Sequence, residues 1–266
     1  MRDWRSYEDV ADTWERVNAP RNAVIARDLL GLADLEPGHR VLDVGAGTGS
    51  LAAEAVDLAG GDALVVGVDV APAMLRVGRA SHPGLRLAAA GAVDLPFRDA
   101  TFDIVAGNFV LQHFPRPQTA LFDMLRVLRR GGRLALTTWG SGEDDLEKTW
   151  RELVEEIVGP DLTRDAIQRS TPGRGRFGDR AAIEETLLDA GLRHVRTERR
   201  EYRFVFSIAD YVAGRSVLST GRFVREMVRA DRFEEFLERA RTVYAERFAD
   251  PLNDFRDAWL AVAVRP

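Results

Sequence analysis

Short apolar runs recur along the chain, and between them apolar positions return every three or four residues. The runs Val41-Leu42-Asp43-Val44, Ala63 to Asp69, Leu85 to Ala89, Thr101 to Gly107 and Arg133 to Trp139 are rich in valine, leucine and alanine and too short for helices. Such runs predict strands of a parallel sheet that is buried on both faces. The segments between them predict amphipathic helices: one after Gly49, one from Pro72 through Met74, Leu75 and Val77, and one from Gln118 to Arg130. In the last, Leu121, Phe122, Leu125 and Leu128 share a face, and Arg129-Arg130-Gly131-Gly132 reads as a basic last turn with a glycine stop. Strands alternating with helices across short loops imply an α/β fold, a doubly wound and mostly parallel sheet.

Three stretches stand outside that alternation. Trp4, Tyr7, Val10, Ala11, Trp14 and Val17, then Val24, Ile25, Leu29 and Leu30, recur at helical spacing, so residues 1–36 predict a helical cap in which Pro20 separates two helices. Residues 141–178 hold an amphipathic helix around Leu146, Trp150, Leu153, Val154 and Ile157, followed by the glycine- and arginine-rich run from Thr171 to Gly178. That pattern predicts a loop or lid rather than a second domain. After a helix from Arg180 to Ala190 and a strand from His194 to Phe206, residues 207–250 are again helical in pattern, before a last strand from Ala258 to Val264. The expectation is a single domain, 1–266, with a seven-stranded sheet and helical insertions at 141–178 and 207–250.

With 266 residues, 45% hydrophobic and 30% charged, the chain is long enough for a sizeable core and ordinary for a soluble protein. No run approaches the roughly 20 apolar residues of a membrane span, and the start Met1-Arg2-Asp3-Trp4-Arg5 has no apolar secretory core. A cytoplasmic protein without a membrane partner is expected. The absence of cysteine removes disulfides, thiolate metal sites and cysteine nucleophiles, and no metal-ligand cluster is visible, so no metal is expected. A net charge of −5 argues against a nucleic-acid partner. The oligomeric state stays open, a homodimer included.

The chemistry gathers at Val41-Leu42-Asp43-Val44-Gly45-Ala46-Gly47-Thr48-Gly49, where an apolar strand stops in three glycines at alternate positions. Glycine belongs where the backbone takes positive φ or approaches another group closely, and the helix that follows turns its free N–H groups toward that point. A nucleotide-type ligand is implied. The dinucleotide fingerprint would need glycine at Ser50, and Asp43 would repel a pyrophosphate but suit a ligand with an ammonium group and a positive centre. The run Asp43 to Gly49 resembles the first motif of class I S-adenosylmethionine-dependent methyltransferases. Val68-Asp69-Val70-Ala71-Pro72-Ala73-Met74-Leu75 resembles the second motif of that family, and Gly91-Ala92-Val93-Asp94-Leu95-Pro96-Phe97 its adenine-binding motif.

The resemblance spans roughly residues 38–139 and is closest to small-molecule methyltransferases related to quinone-biosynthesis and actinobacterial natural-product enzymes. It implies a Rossmann-like fold and S-adenosylmethionine as cofactor, with S-adenosylhomocysteine as product. Asp43, Gly45, Ala46, Gly47 and Gly49 would form the turn. Asp69 would take the ribose hydroxyls or cap the next helix. Asp94 and Leu95 would hold the adenine, and Val70, Met74, Ala92, Asn108 and Phe109 would complete the cofactor set. Ligands of such sheets bind outside the carboxyl ends of the strands, which places Asn108 to His113 beside methyl group and acceptor. His113 is then either a substrate-side base or a structural hydrogen-bonding residue, while His39, His82 and His194 fall in turns or strand starts. Tyr7, Trp14, Gln112, Trp139 and Tyr211 are the acceptor-side candidates, with core packing the alternative for Tyr7 and Trp14. The implied reaction is methyl transfer to oxygen, nitrogen or carbon of a small molecule, in specialised metabolism. Two other readings stand beside it: a protein that binds S-adenosylmethionine without methylating, such as a cyclase or scaffold, and an NAD-dependent oxidoreductase, which leaves Asp43 and the missing glycine unexplained.

Overall fold

Along the central strands, successive side chains enter two different cores. Leu42, Val44, Val105, Leu134, Leu136, Ala261 and Ala263 point into one, while Val41, Ile104, Ala106, Ala135, Leu260 and Val262 point into the other. That is the period-two pleat of a sheet covered on both faces. The computed structural model describes residues 7–60, 63–140, 142–173 and 177–266; Trp4 of the expected cap and Arg174 to Arg176 of the expected loop lie outside them. The strands are β1 (Val41–Val44), β2 (Val65–Asp69), β3 (Arg86–Ala89), β4 (Phe102–Asn108), β5 (Leu128–Trp139), β6 (Arg193–Phe206) and β7 (Leu252–Val264). They form one seven-stranded sheet in the order β3-β2-β1-β4-β5-β7-β6, in which β7 alone runs antiparallel to its neighbours.

Helices α2 (Ala19–Leu32) and α3 (Ser50–Ala59) cover one face through Ile25, Leu29, Leu51 and Ala55. Helices α5 (Pro117–Val127) and α8 (Arg180–Asp189) cover the other through Leu121, Met124, Ile183 and Leu187. The expected mostly parallel, doubly wound sheet of seven strands is therefore present. From β1 the chain winds outward to β3 and then returns to β4, so a crevice opens outside the carboxyl ends of β1 and β4. Trp139 at the end of β5 pairs with Ala258, which brings Asp254 to Asp257 of β7 to the same edge.

Several boundaries differ from the sequence-based expectation. Pro20 does not separate two helices. A short turn of helix, α1 (Ala11–Thr13), runs through a π-helical turn at Trp14–Asn18 directly into α2, and the Ala19 N–H reaches back to the Trp14 carbonyl. Proline lacks an N–H and crowds the carbonyl four residues back, and the wider turn just before it lets the helix continue. Arg129 to Gly132 belong to the start of β5, because Leu128 already pairs with Phe102 and the register shifts there before Ile104 meets Arg133. Within 141–178 a second helix follows the first: α6 (Asp145–Val158) ends at Gly159 with φ 84°, and Pro160 opens α7 (Pro160–Ser170). Strand β7 starts six residues earlier than its apolar run, since Leu252 to Asp257 continue the ladder with β6. A third apolar cluster joins α6 to α9 (Ile208–Ser216), α10 (Ser219–Met227) and α11 (Ala230–Arg247) around Trp150, Phe236 and Tyr244. Among the described residues no helix is long and apolar enough to cross a membrane.

Candidate functional site

The turn after β1 is anchored before any ligand meets it. The N–H groups of Gly45 and Ala46 both donate to the Val68 carbonyl, at 2.8 and 2.9 Å, and the Gly47 N–H donates to Asp69 Oδ2 at 2.8 Å. Gly47 and Gly49 have φ of 56° and 95°, the left-handed region that favours glycine. Asp69 Oδ1 accepts from the Ala71 N–H at 2.8 Å, so both carboxyl oxygens are fixed at the end of β2. Asp69 does not cap α4 (Pro72–Ser81), whose N-cap position is Ala71. Burial raises the Asp69 pKa, opposed by these backbone donors and by His113. Gly45, Gly47, Asp69, Val70 and Met74 all line one cavity of about 870 Å³ along the carboxyl edge of the sheet. Ala46 and Gly49 stand behind the turn, outside the lining.

Asp43 does not line the cavity. Its side chain shares the pleat face of Val41, so it points at α3 rather than into the cavity, and its Oδ2 accepts from the Ala52 N–H at 3.1 Å. With 1% of its surface exposed, desolvation raises its pKa to about 7, against the Ala52 hydrogen bond and with a smaller push from Asp69. It clamps strand to helix.

Asp94 and Leu95 do not line the cavity either. Leu95 is buried, its N–H donates to the Asp123 carboxylate and its carbonyl accepts from Arg126 Nη2 at 2.7 Å. Asp94, with φ 69°, is exposed and outside the cavity. The pairing to α5 turns this loop away, and Ala90, Gly91, Ala92 and Val93 line the cavity instead.

Asn108, Phe109, Gln112, His113 and Trp139 also line it. Phe109, at φ 58°, stacks on Trp139 with centroids 3.8 Å apart and planes 8° apart, and its N–H donates to Thr137 Oγ1 at 2.9 Å. Asn108 accepts from that same hydroxyl and donates to the Asn22 carbonyl at 3.2 Å, which ties β4 to α2. His113 Nδ1 lies 2.8 Å from the Ser170 carbonyl at the end of α7. A carbonyl only accepts, so Nδ1 carries the proton and the lone pair of the neutral ring sits on Nε2.

Tyr7 and Trp14 face the cavity and meet edge to face at 5.9 Å, with the Arg222 guanidinium 3.9 Å over the Tyr7 ring. Tyr211 does not reach it: it is 3% exposed, packs against Tyr244, and burial pushes its phenol up to about 12. The far wall is one that sequence reasoning missed, with Arg21, Glu147, Trp150, Arg215 and Arg256 brought together from α2, α6, α9 and β7. The only signal for it was the alternation of charge in Asp254-Phe255-Arg256-Asp257. Among the described residues no group of three or more histidines and carboxylates is placed to hold a metal.

Residues 42–136 match the family described as Methyltransferase domain. The demethylmenaquinone methyltransferase of Streptomyces avermitilis is 36% identical over 134 residues, 49% of this chain and 57% of that protein. The ubiquinone/menaquinone biosynthesis C-methyltransferase of Ectopseudomonas mendocina is 31% identical over 181 residues, 64% of this chain and 71% of that protein. This chain belongs to the class I S-adenosylmethionine-dependent methyltransferases. It spans little more than half the length of the first curated relatives it matches, 57%, 59% and 52%. Among solved structures, a protein of Bacillus halodurans assigned as a methyltransferase superposes with a TM-score of 0.56 at 23% identity, over 91% of this chain and 98% of that one. Phosphoethanolamine N-methyltransferase 2 of Haemonchus contortus, solved with phosphomonomethylethanolamine and S-adenosylhomocysteine, gives 0.53 at 18% identity, over 93% and 53%. These two show the shared fold. In this chain the family match covers the glycine turn, Asp69 and His113, whereas Arg21, Glu147, Arg215 and Arg256 all fall outside it.

Proposed function

We propose that this methyltransferase binds S-adenosylmethionine against Gly45, Gly47, Asp69, Val70, Met74 and the Gly91 to Val93 backbone, and methylates a small molecule held beneath the helical insertions. The observation that carries this is Asp69: a carboxylate with both oxygens positioned by backbone donors, on the wall of the cavity that the bare glycine turn also lines. Such an acceptor group suits a ribose diol, and the neighbouring Phe109, Val70 and Met74 suit the apolar faces of a nucleoside. S-adenosylmethionine, when bound, supplies an electrophilic methyl group, and the acceptor atom is oxygen, nitrogen or carbon. Holding the acceptor in line provides much of the acceleration, and His113, through Nε2, takes the proton from a hydroxyl or amine. The whole is one domain, with 1–36 as cap and 141–178 and 207–250 as its acceptor-side insertions.

A specialised-metabolism acceptor is our reading. A quinone is the second, favoured by the names of the relatives and by identity in the cofactor half, while the insertions that wall the acceptor end lie beyond the family match. Isothermal titration tests the cofactor assignment: S-adenosylmethionine and S-adenosylhomocysteine should bind and NADH should not. Asp69→Ala should weaken both by about 1–3 kcal/mol, the cost of losing hydrogen bonds to a charged acceptor. Unchanged affinity in the folded variant would remove Asp69 from the ribose role, and product analysis by mass separates methylation from a binding-only protein.

A further inference from the structure

Five charged side chains form one connected set in the cavity wall made by α2, α6, α9 and β7. Glu147 Oε1 accepts from Arg215 Nη1 at 3.1 Å and is also paired with Arg256. Arg256 Nε donates to Asp254 Oδ2 at 3.1 Å, and Arg21 Nη1 stands 3.7 Å from that same oxygen. No more than 14% of any of these side chains is exposed. Three guanidiniums therefore share two carboxylates.

The shortfall falls on Arg21. Among the described residues its one ion-pair partner is Asp254 at that long distance, and its Nε is buried without a hydrogen bond. Burial and the neighbouring Arg256 lower its pKa to about 10, so it stays charged at neutral pH with too little negative charge around it. The other carboxylates of the wall already have cations of their own: Glu143 meets Arg151 through both oxygens at 2.9 and 3.0 Å, and Asp257 accepts from Arg199 at 2.7 Å. Asp144 lies outside the lining, accepts from the Glu147 N–H at 2.7 Å to cap α6, and is held above the ordinary carboxylate range by burial. Aromatic faces flank the set, with Arg21 5.7 Å over Trp139 and Arg215 5.8 Å over Trp150. A buried cation short of counter-charge costs stability, and an incoming anion removes that cost.

We propose that Arg21, with Arg215 and Arg256 held in place by Glu147 and Asp254, is a subsite for an anionic group on the acceptor, a carboxylate or a phosphate. The proposal rests on the reading that this cavity receives an acceptor. It makes the acceptor a small anion, a class that excludes an uncharged quinone.

The test uses the full chain, both alone and saturated with S-adenosylhomocysteine, titrated calorimetrically with benzoate, its neutral isostere benzamide, and phenyl phosphate. Benzoate should bind at least about tenfold more tightly than benzamide, and Arg21→Met should abolish that preference while affinity for S-adenosylhomocysteine and for benzamide stays at the wild-type level. A phenyl phosphate affinity above that of benzoate assigns the group as phosphate, and the reverse assigns it as carboxylate. Equal binding of benzoate and benzamide, no binding of either anion, or an unchanged preference in Arg21→Met overturns the proposal. Should Arg21→Met fail to fold, Arg21→Lys must keep most of the preference, and wild-type benzoate binding must weaken with added salt; failure of either counts against the subsite. The two readings fail separately. Loss of the methyltransferase reading appears as no titration with S-adenosylhomocysteine, whereas the preference for benzoate is measured in its absence as well.

Discussion

His113 is the residue whose role turns on a single bond. Its Nδ1–H to the Ser170 carbonyl fixes the ring and leaves Nε2 as the basic nitrogen, so the same contact serves a base and also ties β4's following turn to α7. The two roles differ in what they predict. As a base, His113→Ala should lower kcat by at least about 10²-fold with cofactor affinity near wild type, because the loss is confined to the transition state. A drop of only a few-fold, or a parallel loss of cofactor affinity, would make it a packing residue. Which residues stand near the strand ends was legible from apolar periodicity, and Asp69, Asn108, Gln112, His113 and Trp139 do line the cavity. Which way a side chain turns was not legible. Asp43 follows its pleat toward α3, and Leu95 is drawn away by Asp123, 28 positions along the chain. Both outcomes depend on partners that no local pattern announces.

At the scale of elements, the sequence marked starts and stops by glycine and proline, and the errors arise where such a residue has two meanings. Pro20 reads as a break but follows a π-helical turn, and Gly131 reads as a helix stop but sits at the irregular start of β5. Gly78 carried no signal at all, although it decides how α4 seats against the glycine turn. A Cβ built there would stand 2.4 Å from the Thr48 carbonyl oxygen and 2.9 Å from Leu87 Cδ1, and the first of these is backbone that cannot swing aside. Gly78→Ala should therefore push α4, which carries Met74, off the glycine turn and cost about 1–3 kcal/mol of stability. Urea unfolding and S-adenosylhomocysteine titration should move together. Unchanged values in both would mean that α4 slides without consequence and that the close approach is incidental.

At the scale of the whole molecule, the sheet with α2, α3, α5 and α8 forms two cores, and the inserted helices form a third of their own around Trp150, Phe236 and Tyr244. The inserted segments meet the rest through polar contacts at several places. Among these, Thr138 Oγ1 donates to the Phe177 carbonyl at 3.0 Å, Trp259 Nε1 to the Gly178 carbonyl at 3.2 Å, and His113 holds Ser170. The Gly173 N–H also donates to the Gln112 carbonyl at 2.9 Å, Asn18 Nδ2 donates to the Gly214 carbonyl at 3.4 Å, Arg16 pairs with Asp210, and the charged set joins α6 and α9 to α2 and β7 across the cavity wall. A layer whose ties include the cavity wall has its local opening coupled to what the cavity holds. Hydrogen exchange should then show greater protection of amides in 141–178 and 207–250 when S-adenosylhomocysteine and an anionic fragment such as benzoate are both present than with either alone. Protection confined to Gly45 to Gly49 and the end of β2 would oppose this, since an independent helical domain would exchange at the same rate whether or not the cavity is filled.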